Sequence, residues 1–213
     1  MQDMNAFEPA WATPPGATVL DLLQERGLAV GYLAKEVHRD IHDVSRLLYG
    51  LAPLDTDWAA NLSRVLGSTV SFWLRREEQY RADLQRLCSQ ASTVNEWLDK
   101  LPVRDMVKFG WIDGGHSTDE AVLNACAFLG VATPKAFERR YEQLIGAAAY
   151  RRSNAFKTNA AAVAAWLRQG EIESASIDCE PWSQSKLVAA LPEVRALTRI
   201  SDPATFIPAL KQL

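Results

Sequence analysis

Six residues near one another carry most of the chemistry in the chain: Lys35, Arg39, His42, Ser45, Arg46 and Tyr49. Each has a hydrogen-bond donor, and Lys35, Arg39 and Arg46 carry permanent positive charge. A guanidinium bonds the two acceptors of a guanine edge in bidentate fashion, which makes Arg46 the best base reader of the set. His42 and Ser45 suit base edges as well, whereas Lys35, Arg39 and Tyr49 suit backbone phosphates. The chemistry expected of this cluster is recognition of double-stranded DNA.

Such a cluster works only if a helix presents it to the major groove, and the flanking residues predict that helix. Val30, Leu33, Ala34 and Val37 fall at i, i+3, i+4 and i+7, one apolar stripe on a short helix. Ile41, Val44, Leu47 and Leu48 give a second stripe, and the small Ala34 lets the two helices cross closely. Asp40 is placed to cap the second helix and Gly50 to stop it. The pair reads as a helix-turn-helix with Arg39, Ile41, His42, Ser45, Arg46 and Tyr49 pointing outward.

Three further helices complete this region. Pro14, Pro15 and Gly16 open one whose Val19, Leu22 and Leu23 face inward and which ends near Gly27. After the loop Leu51-Ala52-Pro53-Leu54, Asp55 or Thr56 caps a helix carrying Trp58, Leu62, Val65 and Leu66, and Gly67 ends it. Ser68 or Thr69 starts the next, through Phe72 and Trp73 into the charged run RREEQYRADLQRL, whose opposite charges sit at pairing distances. Residues 1–13 have no periodic pattern and read as a flexible arm.

Competing chemistries fare poorly. His38 and His42 share the i, i+4 spacing of H-E-x-x-H, but Arg39 stands where that motif needs Glu, and the turn puts His38 outside the helix bearing His42. No metal site or cofactor is expected. Cys88, Cys126 and Cys179 are odd in number and far apart in sequence, which fits reduced buried thiols. No nucleophile motif, glycine-rich phosphate loop or telling carboxylate pair stands out, so no enzyme is read here. With 48% apolar residues the chain can bury one large core or two small ones, and it has no signal peptide or membrane-spanning run, so the cytoplasm is expected. Net charge is −3, and residues 1–90 hold 9 Lys/Arg against 12 Asp/Glu, so DNA binding must come from local placement.

Beyond residue 88 the polar gap Gln90-Ala91-Ser92-Thr93 separates a second helical stretch, 94–213. LPVRDMVKFGWI gives a short helix stopped by Gly110, and Ser117-Thr118-Asp119-Glu120 is a capping box for a helix ending at Gly130. Thr133-Pro134 starts another. A longer Ala-rich helix from about Thr158 to Gln169 is expected to turn Val163, Trp166 and Leu167 inward, and shorter helices start at Ser183 and at Asp202-Pro203. Lys135, Arg139, Arg140, Arg151, Arg152, Lys157 and Arg168 outnumber Glu138 and Glu142 there. That surplus, beside Tyr150 and Phe156, suits DNA backbone, an acidic partner or a solvated face equally.

Pro15 to Arg81 resembles the Xre-type helix-turn-helix of HigA-type antitoxins, most closely in Gly50, Leu66, Gly67, Phe72, Trp73, Leu74, Tyr80 and Arg81. It departs in having His38 where relatives usually place Gly, and Ile41 and Asp43 where they often place Lys, Arg or Thr. The segments KLPVRDMVKFGWI, FLGV, AAAYRRS and AAWLRQGEIE are similar to the helical region linking a HigA-like domain to an ImmA/IrrE-type metallopeptidase, whose H-E-x-x-H this chain lacks. The resemblance implies an all-α protein: a five-helix lambda-repressor-like domain at 14–88, then a helical domain at 94–213 shortened before a peptidase. It also implies a dimeric repressor of its own operon, bound to operator DNA and in many relatives to a toxin. The other reading is a regulatory or substrate-docking region that binds a protein partner. The apolar stripe of Phe206, Ile207, Ala209, Leu210 and Leu213 stops without a cap, as a fragment of a longer regulator-peptidase would.

Overall fold

The computed structural model describes residues 11–90, 93–147, 159–177 and 183–210. Twelve helices, and no strand, occur among them. The chain divides into two compact units, Met1–Asp178 and Cys179–Leu213.

In the first unit, α1 (Pro15–Glu25), α2 (Val30–Glu36), α3 (Ile41–Leu48), α4 (Thr56–Leu66) and the start of α5 (Val70–Gln90) surround one apolar core. Most of it is the residues their periodicity selects, Val19 and Leu23, Leu33 and Val37, Val44, Leu47 and Leu48, Trp58, Leu62 and Leu66, with Trp73 from α5, and Ala34, Leu54 and Ala59 complete it. Leu22 and Val65 are only partly buried at its margin. Local signals hold as well. The Asp40 carboxylate accepts from the His42 amide and caps α3, and Asp55 caps α4 through the Trp58 amide. His38 sits in the turn at φ 55°, a left-handed conformation that His tolerates better than bulky or branched residues. One close approach escapes the sequence: a Cβ on Gly16 would lie 2.0 Å from the Leu48 carbonyl oxygen, so α1 crosses the end of α3 backbone to backbone.

A second core in the same unit is gathered by the rest of α5 with α6 (Val94–Lys100), α7 (Val103–Lys108), α8 (Thr118–Leu129), α9 (Pro134–Ala147) and α10 (Ala160–Ser174). Helix α5 thus runs through both cores and ends at Gln90, where the polar gap Gln90–Thr93 begins. Ser117 caps α8 and Gly130 closes it at φ 62°, as the capping box predicts. Glu120 reaches back to the His116 amide rather than to that of Ser117.

Helix α10 departs from expectation. It runs from Ala160, capped by Asn159, to Ser174, and its buried face is Ala164, Ala165, Arg168 and Ile172. Trp166, expected inside, is 67% exposed. Alanines let α10 lie close to α8, α9 and α3, where an indole would hold the helices apart. The second unit comprises α11 (Gln184–Leu197) and α12 (Pro203–Leu210), neither of which has a buried residue. The stripe of Phe206, Ile207, Ala209 and Leu210 is partly or fully exposed, and Leu213 lies outside the described residues. None of the described helices is long and apolar enough to cross a membrane.

Candidate nucleic-acid interface

The six predicted residues divide into three groups. The side chains of Lys35 and His42 are exposed and make no hydrogen bond or ion pair among the described residues. Lys35 shares a shallow surface groove with Ala34, His38, Arg39 and Ile41 beside the turn. Arg39 is half committed: its guanidinium pairs with the Asp57 carboxylate on α4 and lies 5.2 Å from the centre of the Trp58 ring. An exposed pair of this kind contributes little, about 0–1 kcal/mol, so Arg39 can exchange Asp57 for a phosphate at small cost. Arg46 is exposed, its side chain makes no hydrogen bond or ion pair among the described residues, and it lines a cleft of about 480 Å³ with Arg81, Asp113, His116, Glu120 and Asn124.

Ser45 and Tyr49 are elsewhere. The expectation that Ser45 points outward is corrected: it is 3% exposed, and its hydroxyl donates to the Ile172 carbonyl oxygen at 2.9 Å. One turn on, the half-buried Tyr49 donates to the Glu171 carbonyl oxygen at 3.4 Å. Burial, then the nearby Glu171 carboxylate, raise the Tyr49 phenol above its ordinary pKa, and Arg168 and Arg140 oppose them. The covering element is the last turn of α10, where helix carbonyls lack the usual backbone partner and the Glu171 carbonyl oxygen also accepts from Ser174 Oγ at 2.7 Å. A hydroxyl of α3 and one just past its end reach two of these carbonyls.

Arg168 anchors that turn, a role its place in a basic surplus did not suggest. It is 4% exposed, donates to the Phe128 carbonyl oxygen at 2.7 Å and to Glu171 Oε2 at 2.6 Å, and lies 4.6 Å over the Tyr49 ring. Arg140 bonds the Gly130 carbonyl oxygen and reaches Glu171. Gly130 leaves room for both guanidiniums: a Cβ there would be 2.9 Å from Arg140 Nη1 and 3.1 Å from Arg168 Nη2. The i, i+3 spacing of Arg168 and Glu171 was the available sequence signal. Of the basic surplus, Lys135 and Arg139 remain exposed, while Arg151, Arg152 and Lys157, like Tyr150 and Phe156, lie outside the described residues.

Cys88 and Cys126 are free and buried as expected, yet they meet in space with sulfurs 3.3 Å apart. Their hydrogen bond lowers the Cys88 pKa and raises that of Cys126, which burial raises further. Cys179 lies outside the described residues. Among those residues no three His, Cys, Asp or Glu side chains gather as metal ligands would. Set against protein-family models, curated proteins and solved structures, the chain matches none of them.

Proposed function

We propose that this chain is a sequence-specific DNA-binding regulator of the HigA/Xre kind, reading operator DNA as a homodimer through α2 and α3. The observation that carries this reading is the helix pair itself. A capped α3 follows α2 across a tight left-handed turn at His38, and the side chains of His42 and Arg46 on α3 and Lys35 on α2 stay exposed, with no hydrogen bond or ion pair among the described residues. Arg46 and His42 read base edges, and Ser45 joins them when its face is bare. Lys35, Arg39 and Tyr49 hold phosphates. The acidic Asp43, also exposed, keeps non-specific affinity low and leaves selectivity to Arg46.

A second reading, recognition of a protein partner such as a toxin, is favoured by one feature: the outer face of α3 already accepts a helix end. Fluorescence anisotropy separates the two, using the DNA upstream of this chain's own gene and a scrambled duplex at low and near-physiological salt. The DNA reading expects promoter-selective, salt-dependent binding to two half-sites about one helical turn apart. Arg46→Ala should remove about 1–3 kcal/mol of that selectivity. Absence of selective binding at either salt transfers the reading to the protein partner.

A further inference from the structure

The strip beside Arg46 and His42 that carries Ser45 and Tyr49 is covered by a surface with the hydrogen-bonding character of DNA, while Arg46 and His42 stay exposed. Ser45 and Tyr49 donate to the carbonyl oxygens of Ile172 and Glu171, acceptors at the negative end of the α10 dipole, and the Glu171 carboxylate acts on Tyr49. A duplex offers the same two hydroxyls acceptor atoms and negative charge. Occupation of the face by α10 and by DNA is mutually exclusive, because Ser45 has no free surface while Ile172 lies against it.

We infer that the last turn of α10 is an internal stand-in for DNA: it closes the recognition helix in this structure, and its release from α3 is the step that admits an operator. This device rests on the DNA-binding reading above. Its chemistry suits release, since the direct hydrogen bonds are two hydroxyl–carbonyl contacts, one of them long at 3.4 Å. Carbonyls at a helix end that lose such partners pass to water without unfolding the helix. The latch is Arg168, which ties the turn to the end of α8 through the Phe128 carbonyl, with Glu171 holding Arg168 and Arg140 together. A signal that draws Glu171 away from its two arginines, such as a competing anion, would therefore favour opening.

The test uses the full chain and a fluorescein-labelled duplex of its own upstream DNA, with a scrambled duplex as control. Ile172→Asp places a carboxylate where α10 meets α3, and Glu171→Ala frees both arginines while altering only an exposed side chain. The added negative charge of Ile172→Asp disfavours DNA, so a gain in affinity cannot come from simple electrostatics. When the competent form is a minor fraction, apparent affinity rises as that fraction rises, and Ile172→Asp should bind the promoter at least about tenfold more tightly, with Glu171→Ala intermediate. In the unmodified chain, amide exchange on saturation with the promoter duplex should slow in α3 and quicken over 168–174. Selective promoter binding of equal strength in all three proteins, with 168–174 unchanged, overturns the stand-in and leaves the DNA reading intact. If Ile172→Asp misfolds, Glu171→Ala and the exchange pattern decide. No selective binding by any of the three overturns both.

Discussion

The inner and outer sides of α3 are attached to the protein by different chemistry. Inside, Val44, Leu47 and Leu48 are buried with the apolar faces of α1, α2 and α4, each contributing about 1.5–3 kcal/mol by leaving water. Outside, Ser45 and Tyr49 hydrogen-bond the end of α10, and such bonds yield only about 0.5–1.5 kcal/mol each once lost water contacts are counted. The inner side fixes where α3 is. The outer side decides what α3 can meet.

The sharpest way to break the inner attachment is Gly16→Ala. The new methyl would sit 2.0–2.4 Å from the Leu48 backbone, and neither helix can yield without shifting the core behind it. Overpacking of this kind costs typically 1–3 kcal/mol, and contact with backbone puts this case at about 3 kcal/mol or more. Urea unfolding followed by circular dichroism should show it, and a loss under about 1 kcal/mol would mean that α1 and α3 are less tightly apposed than the structure has them.

Alkaline pH attacks the neighbouring second core, where it meets the end of α3. Tyr80 lies beside Gly50, just past the end of α3, and burial pushes its pKa up to about 12, against the opposing pull of Arg81. A phenol whose folded pKa is raised stabilises the fold fully below its unfolded value near 10, and that stability is lost as pH climbs toward 12. The loss is expected to be on the order of 2 kcal/mol across that window. Tyr80→Phe should flatten the stability curve between pH 10 and 12, and an unchanged slope in that variant would assign the alkaline loss to other groups.

How far the sequence could be read follows the same division. The inner side was legible because apolar periodicity, the Asp40 cap and the glycine after the helix are local signals, decided within a few residues. The outer side was not, because Ser45 and Tyr49 look like solvent-facing donors, and nothing local says that their acceptors lie 127 and 122 residues away. The same gap explains α10. Weighting by hydrophobicity turns Trp166 inward, whereas the packing selects Ala164 and Ala165, whose merit is small size against neighbours the sequence does not specify. Arg168 counts as surface charge until the Phe128 carbonyl and Tyr49 ring are known to surround it.

Arg168 anchors the outer side, and Arg168→Met should break it. Methionine fills much of the volume but removes the bonds to Phe128 and Glu171, a loss of about 2 kcal/mol for charge-assisted contacts. The exposed Glu171 remains solvated, which keeps the cost below that of stranding a buried ion. Exchange should quicken at 168–174 while the amides of α1 and α2 keep their protection. Uniform loss of protection through the first unit would mean that the two sides of α3 are not separable.

Ser45→Ala is the smallest of these changes and the most discriminating. It removes one buried donor and leaves the Ile172 carbonyl without that partner, for about 1 kcal/mol of stability. The carbonyl lies in the last turn of α10 and can recover water if the turn lifts, so the cost should appear as quicker local exchange more than as lower global stability. In the DNA reading the same hydroxyl contacts the operator once the face is bare, so the variant weakens closure and recognition together. Promoter affinity should therefore change less in Ser45→Ala than in Glu171→Ala, which loosens the clamp without touching the reading face. An affinity gain in Ser45→Ala equal to that in Glu171→Ala would mean that Ser45 serves the clamp and not the DNA.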